Sequence, residues 1–449
     1  MRSILAFFYI IGFAAALHAG DSPRAPECEP WEPGRSDGNV CTSFTPDPLR
    51  LNGAALYSPG RKPWVTDTDS PHPEGVGAGP FGAEATGRLT QGFRLGLYKA
   101  APLGRREIQP IRGFQIQLDE DRSSNCADSP ARHEFRAVHM GTEWRIVLYA
   151  PDKPTAEKAS KAAFARVAEL EMVMSDYNPK SELMKLCAAN DGDPGKPIHL
   201  SSDLFDVLKK ADAVSSASDG AFDITVGPLV KLWRVARKVK EKPAAQDLAA
   251  AKELVGYKLM AIDAKASTVT LAKAKMRLDL GGIGKGYAAD KALEVLKEQG
   301  CPRALIAASG DITVGDAPPG KDRWEVEIAS ITEDRPTRKL KLANQSVSTS
   351  GDLFQHVEID GIRYSHLLDP KTGLGLTGRR SATFIAPKGW QADALTKVAS
   401  VMEPAKALKV IEGYPGAAMF LVAKDSDEAK ETVTESVGFG KFLAVPEKK

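Results

Sequence analysis

A glycine-rich segment at residues 279–290 has the residue types needed to bind a phosphate. Four glycines within six positions leave backbone N–H groups uncovered at a predicted helix start, where the helix dipole favours anions. Lys285 adds a positive charge, and Asp290 lies about one turn further into the helix. Because the spacing matches neither GxGxxG nor GxxxxGKS/T, the segment is compatible with a phosphate site or with a turn that holds no ligand.

Other turns carry oxygen-bearing or basic side chains. Residues 346–352 are hydroxyl-rich and could bind phosphate or cap their own turn, and residues 221–223 and 309–311 are acid-bearing turns of similar ambiguity. His366 precedes a Pro/Gly turn, where a single histidine is more often structural than catalytic. Asp393 opens a predicted helix, where aspartate is also the usual cap. Many scattered oxygens with few clustered His or Cys favour Mg²⁺ over Zn²⁺.

Hydrophobic spacing predicts the elements that hold these residues. Residues 144–149 have the composition of a strand, and Pro154 and Thr155 cap a predicted helix. One face of that helix carries Ala159, Ala163, Val167, Leu170 and Met174. A second predicted helix carries Leu204, Leu208, Ala211 and Val214 on one face.

Later strands alternate with helices irregularly. An alternating run at residues 268–280 leads into the glycine-rich segment. Further strands are predicted at residues 304–308, 324–328, 356–359 and 362–365. Asp360 and Gly361 are the residues that a type I′ hairpin turn needs between the last two. This mixture predicts an α+β fold rather than a regular βαβ repeat.

Residues 1–19 have the pattern of a signal peptide. Arg2 gives a positive start, residues 4–17 are apolar, and small residues through Ala19 suit cleavage. The apolar run is shorter than the roughly 20 residues that span a bilayer, although an uncleaved anchor is the alternative. We therefore expect an exported protein, either periplasmic or anchored in the membrane and facing the periplasm.

Residues 20–132 form a predicted Pro/Gly-rich extension with little regular structure, whose role the sequence does not reveal.

The formal net charge of the chain is +2, and this balance gives no indication of nucleic-acid binding. Five cysteines, at positions 28, 41, 126, 187 and 301, lack CxxC spacing, which argues against a zinc site. Export permits disulfides, but the pairing is not specified.

An ordered series of motifs from about residue 133 to the C-terminus resembles the ApbE family, the FAD:protein FMN transferases. The most specific string is GAFDITVGPLVKLW at residues 220–233. The other motifs follow in family order at residues 139–142, 175–182, 279–290, 309–312, 349–352, 366–373 and 392–395. The resemblance implies a domain at residues 133–449 with a T-fold-like arrangement of mixed sheets packed with helices.

The resemblance also implies a reaction. Members of the family cleave FAD with Mg²⁺ and attach FMN through a phosphodiester to a threonine of a target flavoprotein, releasing AMP. Two alternatives remain open for this chain. A Mg²⁺-dependent FAD pyrophosphatase would use water in place of threonine, and a non-catalytic protein would bind FAD without cleaving it.

Site residues follow from the resemblance, motif by motif. The residues expected to contact FAD are Met140, Tyr177, Ala221, Phe222, Asp223, Asp290, Thr349, Ser350 and Leu368. Asp393 is the expected metal carboxylate, with Thr396 and the backbone carbonyl of Leu293 as further ligands. His366 is the candidate base for the acceptor threonine.

Two residues depart from the family pattern. Cys187 stands where the family usually has asparagine, and Lys397 stands where it usually has an oxygen ligand for the metal. An ammonium cannot ligate Mg²⁺. Three outcomes are open: Thr396 supplies the ligand instead, Lys397 takes over part of the electrostatic role, or metal binding is weakened. Lys285 is then expected to brace the glycine turn rather than to hold a phosphate.

Overall fold

The computed structural model describes residues 129–328, 338–351, 355–425 and 429–444. The predicted signal, the predicted extension up to residue 128, and Asp352 lie outside the described residues, as do Cys28, Cys41 and Cys126. The first strand begins at Ala131, slightly before the predicted domain start at residue 133.

Helices and strands follow one another irregularly among the described residues, with eight consecutive strands between Ala304 and Ala386. The α-helices are α1 (Lys153–Met174), α2 (Glu182–Gly192), α3 (Ser202–Ala217), α4 (Gly227–Val239), α5 (Ala245–Lys252), α6 (Gly284–Glu298), α7 (Gly389–Val401) and α8 (Pro404–Glu412). Short 3₁₀ helices occur at Ile224–Val226, Tyr257–Leu259 and Phe439–Phe442.

The strands follow the same irregular order. They are β1 (Ala131–His139), β2 (Thr142–Ala150), β3 (Ile198–His199), β4 (Met260–Asp263), β5 (Thr268–Leu271), β6 (Ala304–Ala308), β7 (Asp311–Val314), β8 (Trp324–Ile328), β9 (Arg338–Leu342), β10 (Gln345–Gly351), β11 (His356–Ile359), β12 (Ile362–Ser365), β13 (Arg379–Ala386), β14 (Ala418–Lys424) and β15 (Thr432–Glu435).

The largest sheet has eight strands in the order β1-β2-β6-β7-β10-β13-β14-β15, and every neighbouring pair is antiparallel. Smaller sheets join β3-β5-β4, β8-β9 and β11-β12. An antiparallel sheet combined with separate helices is an α+β arrangement, which confirms the predicted fold class.

Two hydrophobic cores lie on opposite faces of the large sheet. Along β2, Trp144 and Ile146 join the core that contains α1, α6 and α7, whereas Val147 joins the core beneath β8 and β9. This division follows from the strand period of two, which sends successive side chains to opposite faces. Polar residues of β7 and β10 on the helical face therefore meet α6 and α7.

The first long helix confirms the predicted apolar face. Ala159, Ala163, Val167, Leu170 and Met174 are all buried in α1. The predicted cap was misplaced by two residues, because the side chain of Asp152 accepts the N–H of Thr155 at 2.7 Å and Pro154 lies in the first turn. Proline is tolerated there because the first-turn N–H groups have no partner within the helix.

The structure confirms most of the other predicted elements and shortens one predicted strand. The second helix is α3, residues 304–308 and 324–328 are β6 and β8, and the hairpin is β11-β12. Asp360 and Gly361 have φ of 52° and 72°, as a type I′ turn requires. The run at 268–280 is a strand only over Thr268–Leu271, because Lys275 adopts φ 65° and its N–H bonds the Asp191 side chain instead of a neighbouring strand. Among the described residues, no helix combines the length and apolarity needed to cross a bilayer.

Candidate active site

Asp393 lies at the centre of the site, in the second turn of α7, and its side chain is fully buried. Its Oδ2 accepts a hydrogen bond from the N–H of Gly286 at 3.1 Å. Its Oδ1 forms an ion pair with the ammonium of Lys397, one turn later on the same helix. The Lys397 ammonium also donates to the backbone carbonyl of Asp393 at 3.1 Å. Groups of the chain itself therefore satisfy both carboxylate oxygens.

A close crossing of α6 and α7 brings the glycine-rich segment to Asp393. A Cβ on Gly286 would lie 2.2 Å from the carbonyl oxygen of Gly389 and 2.8 Å from Cβ of Asp393. Only glycine allows this approach, and the approach lets the Gly286 N–H reach the carboxylate. The anion bound at this helix start is thus a side chain of the chain itself.

Lys285 forms a second ion pair beside the first. Its Nζ lies 3.0 Å from Oδ2 of Asp311, whose Oδ1 accepts the hydroxyl of Ser348 at 2.5 Å. Burial disfavours the ammonium of Lys285, but Asp311 and Asp393 together raise its pKa above the usual value. We call Lys285, Asp311, Asp393 and Lys397 the ion-pair cluster; it has two positive and two negative side chains.

The pKa of Asp393 reflects two opposing effects. Burial penalises the carboxylate, whereas the ammonium groups of Lys285 and Lys397 and the Gly286 N–H favour it, and the resulting pKa lies below the usual value. Asp393 is therefore ionised at neutral pH and holds Lys397 in place.

An aromatic ring borders the Lys397 side chain. A Cβ on Gly282 would lie 3.2 Å from the ring of Phe222 and 3.6 Å from Cγ of Lys397. The N–H of Phe222 donates to Oγ of Ser218 at 3.1 Å, which fixes the backbone beneath the ring. The structure thus places the predicted cofactor residue Phe222 at the ion-pair cluster.

The neighbours of Phe222 hold its turn. Asp223 Oδ1 accepts both the N–H and the hydroxyl of Thr225, at 2.8 and 2.6 Å, and so caps the 3₁₀ helix Ile224–Val226. Burial raises the pKa of Asp223 despite these hydrogen bonds. Ala221 is buried beside it. These two predicted cofactor residues position the ring.

The hydroxyl residues of β10 divide between the two faces of the sheet. Oγ of Ser350 lies 2.8 Å from Oγ1 of Thr396, which also lies 2.7 Å from the carbonyl oxygen of Asp393. Oγ1 of Thr349 instead lies 2.8 Å from Oγ1 of Thr383 on β13. Because successive strand residues point to opposite faces, Ser350 and Thr396 adjoin the ion-pair cluster and Thr349 does not.

Asp290 and Leu293 lie further along α6 than Gly286. The carboxylate of Asp290 accepts the N–H groups of Gly389 and Trp390, at 2.7 and 3.1 Å, and so caps α7. Burial outweighs these hydrogen bonds and raises the pKa of Asp290 to about 6. Leu293 follows Gly286 by seven residues, a rise of about 10 Å along the helix. An ideal helix therefore places the Leu293 carbonyl about two turns beyond the Gly286 N–H that contacts Asp393, and Leu293 stays a predicted ligand.

Tyr177 forms an exposed aromatic surface connected to the glycine-rich segment. The side chain of Tyr177 is 74% exposed, and the guanidinium of Arg234 lies 4.0 Å from its ring centroid. Arg234 also pairs with Asp176 at 2.6 Å and with Asp279, the first residue of the segment, at 3.2 Å. The open ring face can stack on a flat heterocycle, because Arg234 and its carboxylate partners fix the ring from behind.

The remaining predicted residues lie in loops around the site. Met140 adopts φ 49° in the turn between β1 and β2 and packs against the helical core. Leu368 packs between small clusters that contain Trp233 and Leu229. Nδ1 of His366 lies 3.0 Å from the carbonyl oxygen of Gln355. Since a carbonyl only accepts, Nδ1 carries the hydrogen, and Nε2 is the nitrogen that can take up a proton.

The residues around Asp393 do not fit a divalent cation. Both carboxylate oxygens are satisfied within the chain, and a positive side chain occupies the place of a ligand. Thr396 already contacts the Asp393 carbonyl and Ser350. Within the described ranges, no group of three or more His, Cys, Asp or Glu side chains could hold a metal ion. An added Mg²⁺ would meet two ammonium groups, and oxygen-only coordination would require at least one of them to leave.

Sequence reasoning missed part of the site. The sequence indicates only that Asp311 belongs to an acid-bearing turn and that Lys285 braces the glycine turn, whereas the structure pairs the two within the ion-pair cluster. The sequence indicates only that Ser348 belongs to a hydroxyl-rich turn. The available signal was the alternation of polar residues along β10, which places Ser348 and Ser350 on the face of the helices. Cys187 lies buried in the helical core, where burial raises the pKa of its thiol.

Comparison with known proteins identifies relatives over this same region. The family model described as the ApbE family matches residues 140–421. The chain is 30% identical over 299 residues to the FAD:protein FMN transferase of Klebsiella pneumoniae (strain 342), covering 65% of this chain and 84% of that protein.

Solved structures agree with the sequence relatives. The flavinyl transferase ApbE of Pseudomonas stutzeri, in its apo form, is 27% identical with a TM-score of 0.62, covering 70% of this chain and 98% of that one. The flavin transferase ApbE from Vibrio cholerae is 25% identical with a TM-score of 0.61, covering 70% of this chain and all of its own.

Proposed function

Because the chain belongs to the ApbE family, we propose that it is an FAD:protein FMN transferase. The threonine Oγ of a target flavoprotein forms a bond to the phosphorus of the FMN half of FAD. The bond from that phosphorus to the bridging oxygen breaks, AMP leaves with the negative charge, and the threonine proton passes to a base. Catalysis of such a step consists mainly of positioning and charge neutralisation.

The observation that carries the proposal is the ion-pair cluster beside a glycine-rich segment and a buried aromatic ring. Lys397 and Lys285 place two ammonium groups beside the glycine-rich segment, where they could pair with the charges of a pyrophosphate. Phe222 adjoins the Lys397 side chain, and the Tyr177 ring is exposed on the Arg234 side of the same segment. Charge for phosphates and flat apolar surfaces for rings are what a dinucleotide requires.

His366 is proposed as the base that takes the threonine proton. The Gln355 carbonyl orients its ring through Nδ1, and Nε2 is the nitrogen that we propose takes up the proton. The adjacent Leu368, also predicted from the resemblance, packs against the core and fixes the loop that carries the histidine.

Mg²⁺ is the metal that the resemblance implies, with Asp393, Thr396 and the Leu293 carbonyl as ligands. The proposed reaction uses only side chains of the chain for charge neutralisation, because the described residues do not fit that ion.

We also propose that residues 1–19 direct export and place the enzyme on the periplasmic side of the membrane. N-terminal mass analysis of the protein purified from a periplasmic fraction would test this proposal.

In-gel flavin fluorescence tests the proposed activity. The full chain is incubated with FAD and a flavoprotein that carries an acceptor threonine, and the mixture is resolved on a denaturing gel. A fluorescent band at the mass of the flavoprotein, with one AMP released per label, is the expected result. AMP and free FMN without a labelled band would indicate a pyrophosphatase, and intact FAD would indicate a binding protein.

A further inference from the structure

We propose that the ammonium of Lys397 replaces the divalent cation at Asp393, so that this chain binds FAD without Mg²⁺. The proposal rests on the proposed function for the identity of the ligand. It concerns the place where the family resemblance predicts a metal and the structure shows a lysine.

The position of the ammonium supports the replacement. Lys397 follows Asp393 by one helical turn, and its Nζ contacts both Oδ1 and the backbone carbonyl of that residue. Asp393 is fully buried and the Lys397 side chain is only 16% exposed, so the pair lies at the base of the site. A metal bound to the same carboxylate would need the volume that Nζ occupies.

The hydrogen-bonding capacity of the ammonium leaves one donor for the ligand. An ammonium has three N–H donors, and two of them are directed at Asp393. The aliphatic part of Lys397 passes beside Gly282, next to the ring of Phe222. The third donor can therefore meet a phosphate oxygen held at the glycine-rich segment, as a bound cation would.

The charges of the cluster argue against adding Mg²⁺ to it. Two ammonium groups balance two carboxylates, so a divalent cation would give the buried cluster a formal charge of +2. Removing Lys397 from its partner to make room would leave a partly buried ammonium unpaired, which is strongly unfavourable. Lys285, held by Asp311, supplies the second positive charge that a pyrophosphate requires.

Isothermal titration with MgCl₂ and with FAD tests the proposal on the full chain and on Lys397→Thr. Wild type is expected to bind no Mg²⁺, and its Kd for FAD should be the same in EDTA and in excess MgCl₂. Lys397→Thr should bind Mg²⁺, and its affinity for FAD should fall by about tenfold or more in EDTA and recover with MgCl₂, since a charged hydrogen bond is lost and then replaced. Lys406→Thr, an exposed lysine on α8, is the matched control and should behave as wild type.

Two further variants keep the result interpretable. Lys397→Arg retains the positive charge and should keep Mg²⁺-independent binding of FAD. Lys397→Met retains length without charge and should lose affinity for FAD in both buffers. Circular dichroism of each variant identifies any that fail to fold.

The outcomes separate this inference from the proposed function. Tight Mg²⁺ binding by wild type, or FAD binding by wild type that weakens tenfold or more in EDTA, would overturn it. Failure of Lys397→Thr to gain Mg²⁺ binding would also overturn it. Transfer that occurs only with Mg²⁺ would overturn the inference and leave the transferase intact. Binding of FAD in EDTA that depends on Lys397, without AMP release, would overturn the proposed transferase activity and leave the inference intact.

Discussion

At the scale of single residues, the chemistry of the site depends on one buried carboxylate. Asp393 accepts one backbone N–H and one ammonium, and each contact depends on a residue type that its position requires. Glycine at 286 allows the backbone to approach, and lysine at 397 supplies the charge. The carboxylate therefore serves mainly to hold a positive group in place.

Asp393→Asn should destabilise the protein and abolish turnover. The amide keeps the shape of the side chain but removes the charge that compensates Lys397, so about 3 kcal/mol of unfolding free energy should be lost. Urea denaturation measures this loss, and AMP release measures turnover. Asp247→Asn, at an exposed position of α5, is the control and should change neither.

The double variant Asp393→Asn/Lys397→Met sharpens this prediction. If the loss in Asp393→Asn comes from the unpaired ammonium, removing that ammonium should restore part of the unfolding free energy, because the two effects are coupled. If the double variant instead loses the sum of the two single losses in unfolding free energy, the two side chains are not coupled.

His366→Ala should slow transfer while largely sparing FAD binding. A positioned general base typically contributes about 10²–10⁴-fold to rate, and the substitution leaves the ion-pair cluster unchanged. Labelling of the acceptor at saturating FAD gives the rate, and titration gives Kd. His356→Ala, an exposed histidine of the same hairpin, is the control. Equal loss of rate and of affinity would assign His366 a role in holding FAD rather than in proton transfer.

The residue types of the site could be predicted better than its contacts. Phe222, Ser350 and Thr396 were named from motifs and lie near Asp393. The pairing of Lys285 with Asp311 was not predicted, because it joins a helix start to a strand start that only the sheet order brings together. Such contacts between distant segments leave no local pattern in a single sequence.

At the scale of elements, the crossing of α6 and α7 determines the geometry of the site. Gly286 and Gly389 allow the backbones to meet, and Asp290 caps the start of α7 across the same contact. The two helix starts are thereby fixed to each other, and Asp393 follows one turn later. A change in this crossing should therefore move the ion-pair cluster.

Gly286→Ala should destabilise the crossing. The new Cβ would lie 2.2 Å from the carbonyl oxygen of Gly389, so the helices must separate, at a typical overpacking cost of about 1–3 kcal/mol. The displaced helix should also weaken FAD binding. Thermal unfolding and FAD titration are the measurements. Gly192→Ala, where a Cβ would meet nothing within 4 Å, is the control; an equal effect of both variants would contradict the steric argument.

Asp290 gives the stability of this crossing a pH dependence. Its pKa is about 6 in the folded protein, above the usual 3.8, so the folded state binds a proton more tightly than the unfolded state. The free energy of unfolding should therefore gain from Asp290 as the pH falls below 6, and this gain should be lost as the pH rises through 6. Relative to Asp290→Asn, wild type should gain about 1 kcal/mol between neutral pH and about pH 5. A difference between the two proteins that stays constant with pH would show that the Asp290 pKa is not raised.

Elements with a strong local pattern were predictable, and those defined by pairing were not. The apolar stripe of α1 and the Asp360-Gly361 turn are both predicted by residues that lie close together in the sequence. In the run at 268–280, the alternate apolar side chains of Met276, Leu278 and Leu280 are buried, as the pattern predicts. The backbone hydrogen bonds to the neighbouring strand nevertheless end at Leu271. Alternation reports which side chains are buried, whereas a strand also needs a neighbour for its backbone.

At the scale of the whole molecule, the two cores on opposite faces of the large sheet account for the stability of the described region. Their members run from Trp144 to Phe439, and the family model, which matches residues 140–421, covers most of this span. The residues of the ion-pair cluster all lie in this span, on the face of the sheet that α6 and α7 cover.

A chain that begins at residue 129 should fold and bind FAD as the full chain does. All the buried residues of both cores and all the candidate site residues lie beyond that point, so removing residues 1–128 takes away none of the apolar contacts or charges described above. The truncated chain should match the full chain in midpoint of thermal unfolding, and its Kd for FAD should agree within about twofold, a difference well below 1 kcal/mol. Titration of the truncated chain with FAD in EDTA tests whether it also binds FAD without Mg²⁺, as proposed for the ammonium of Lys397. A truncated chain that folds but binds FAD at least tenfold more weakly would place part of the FAD site before residue 129.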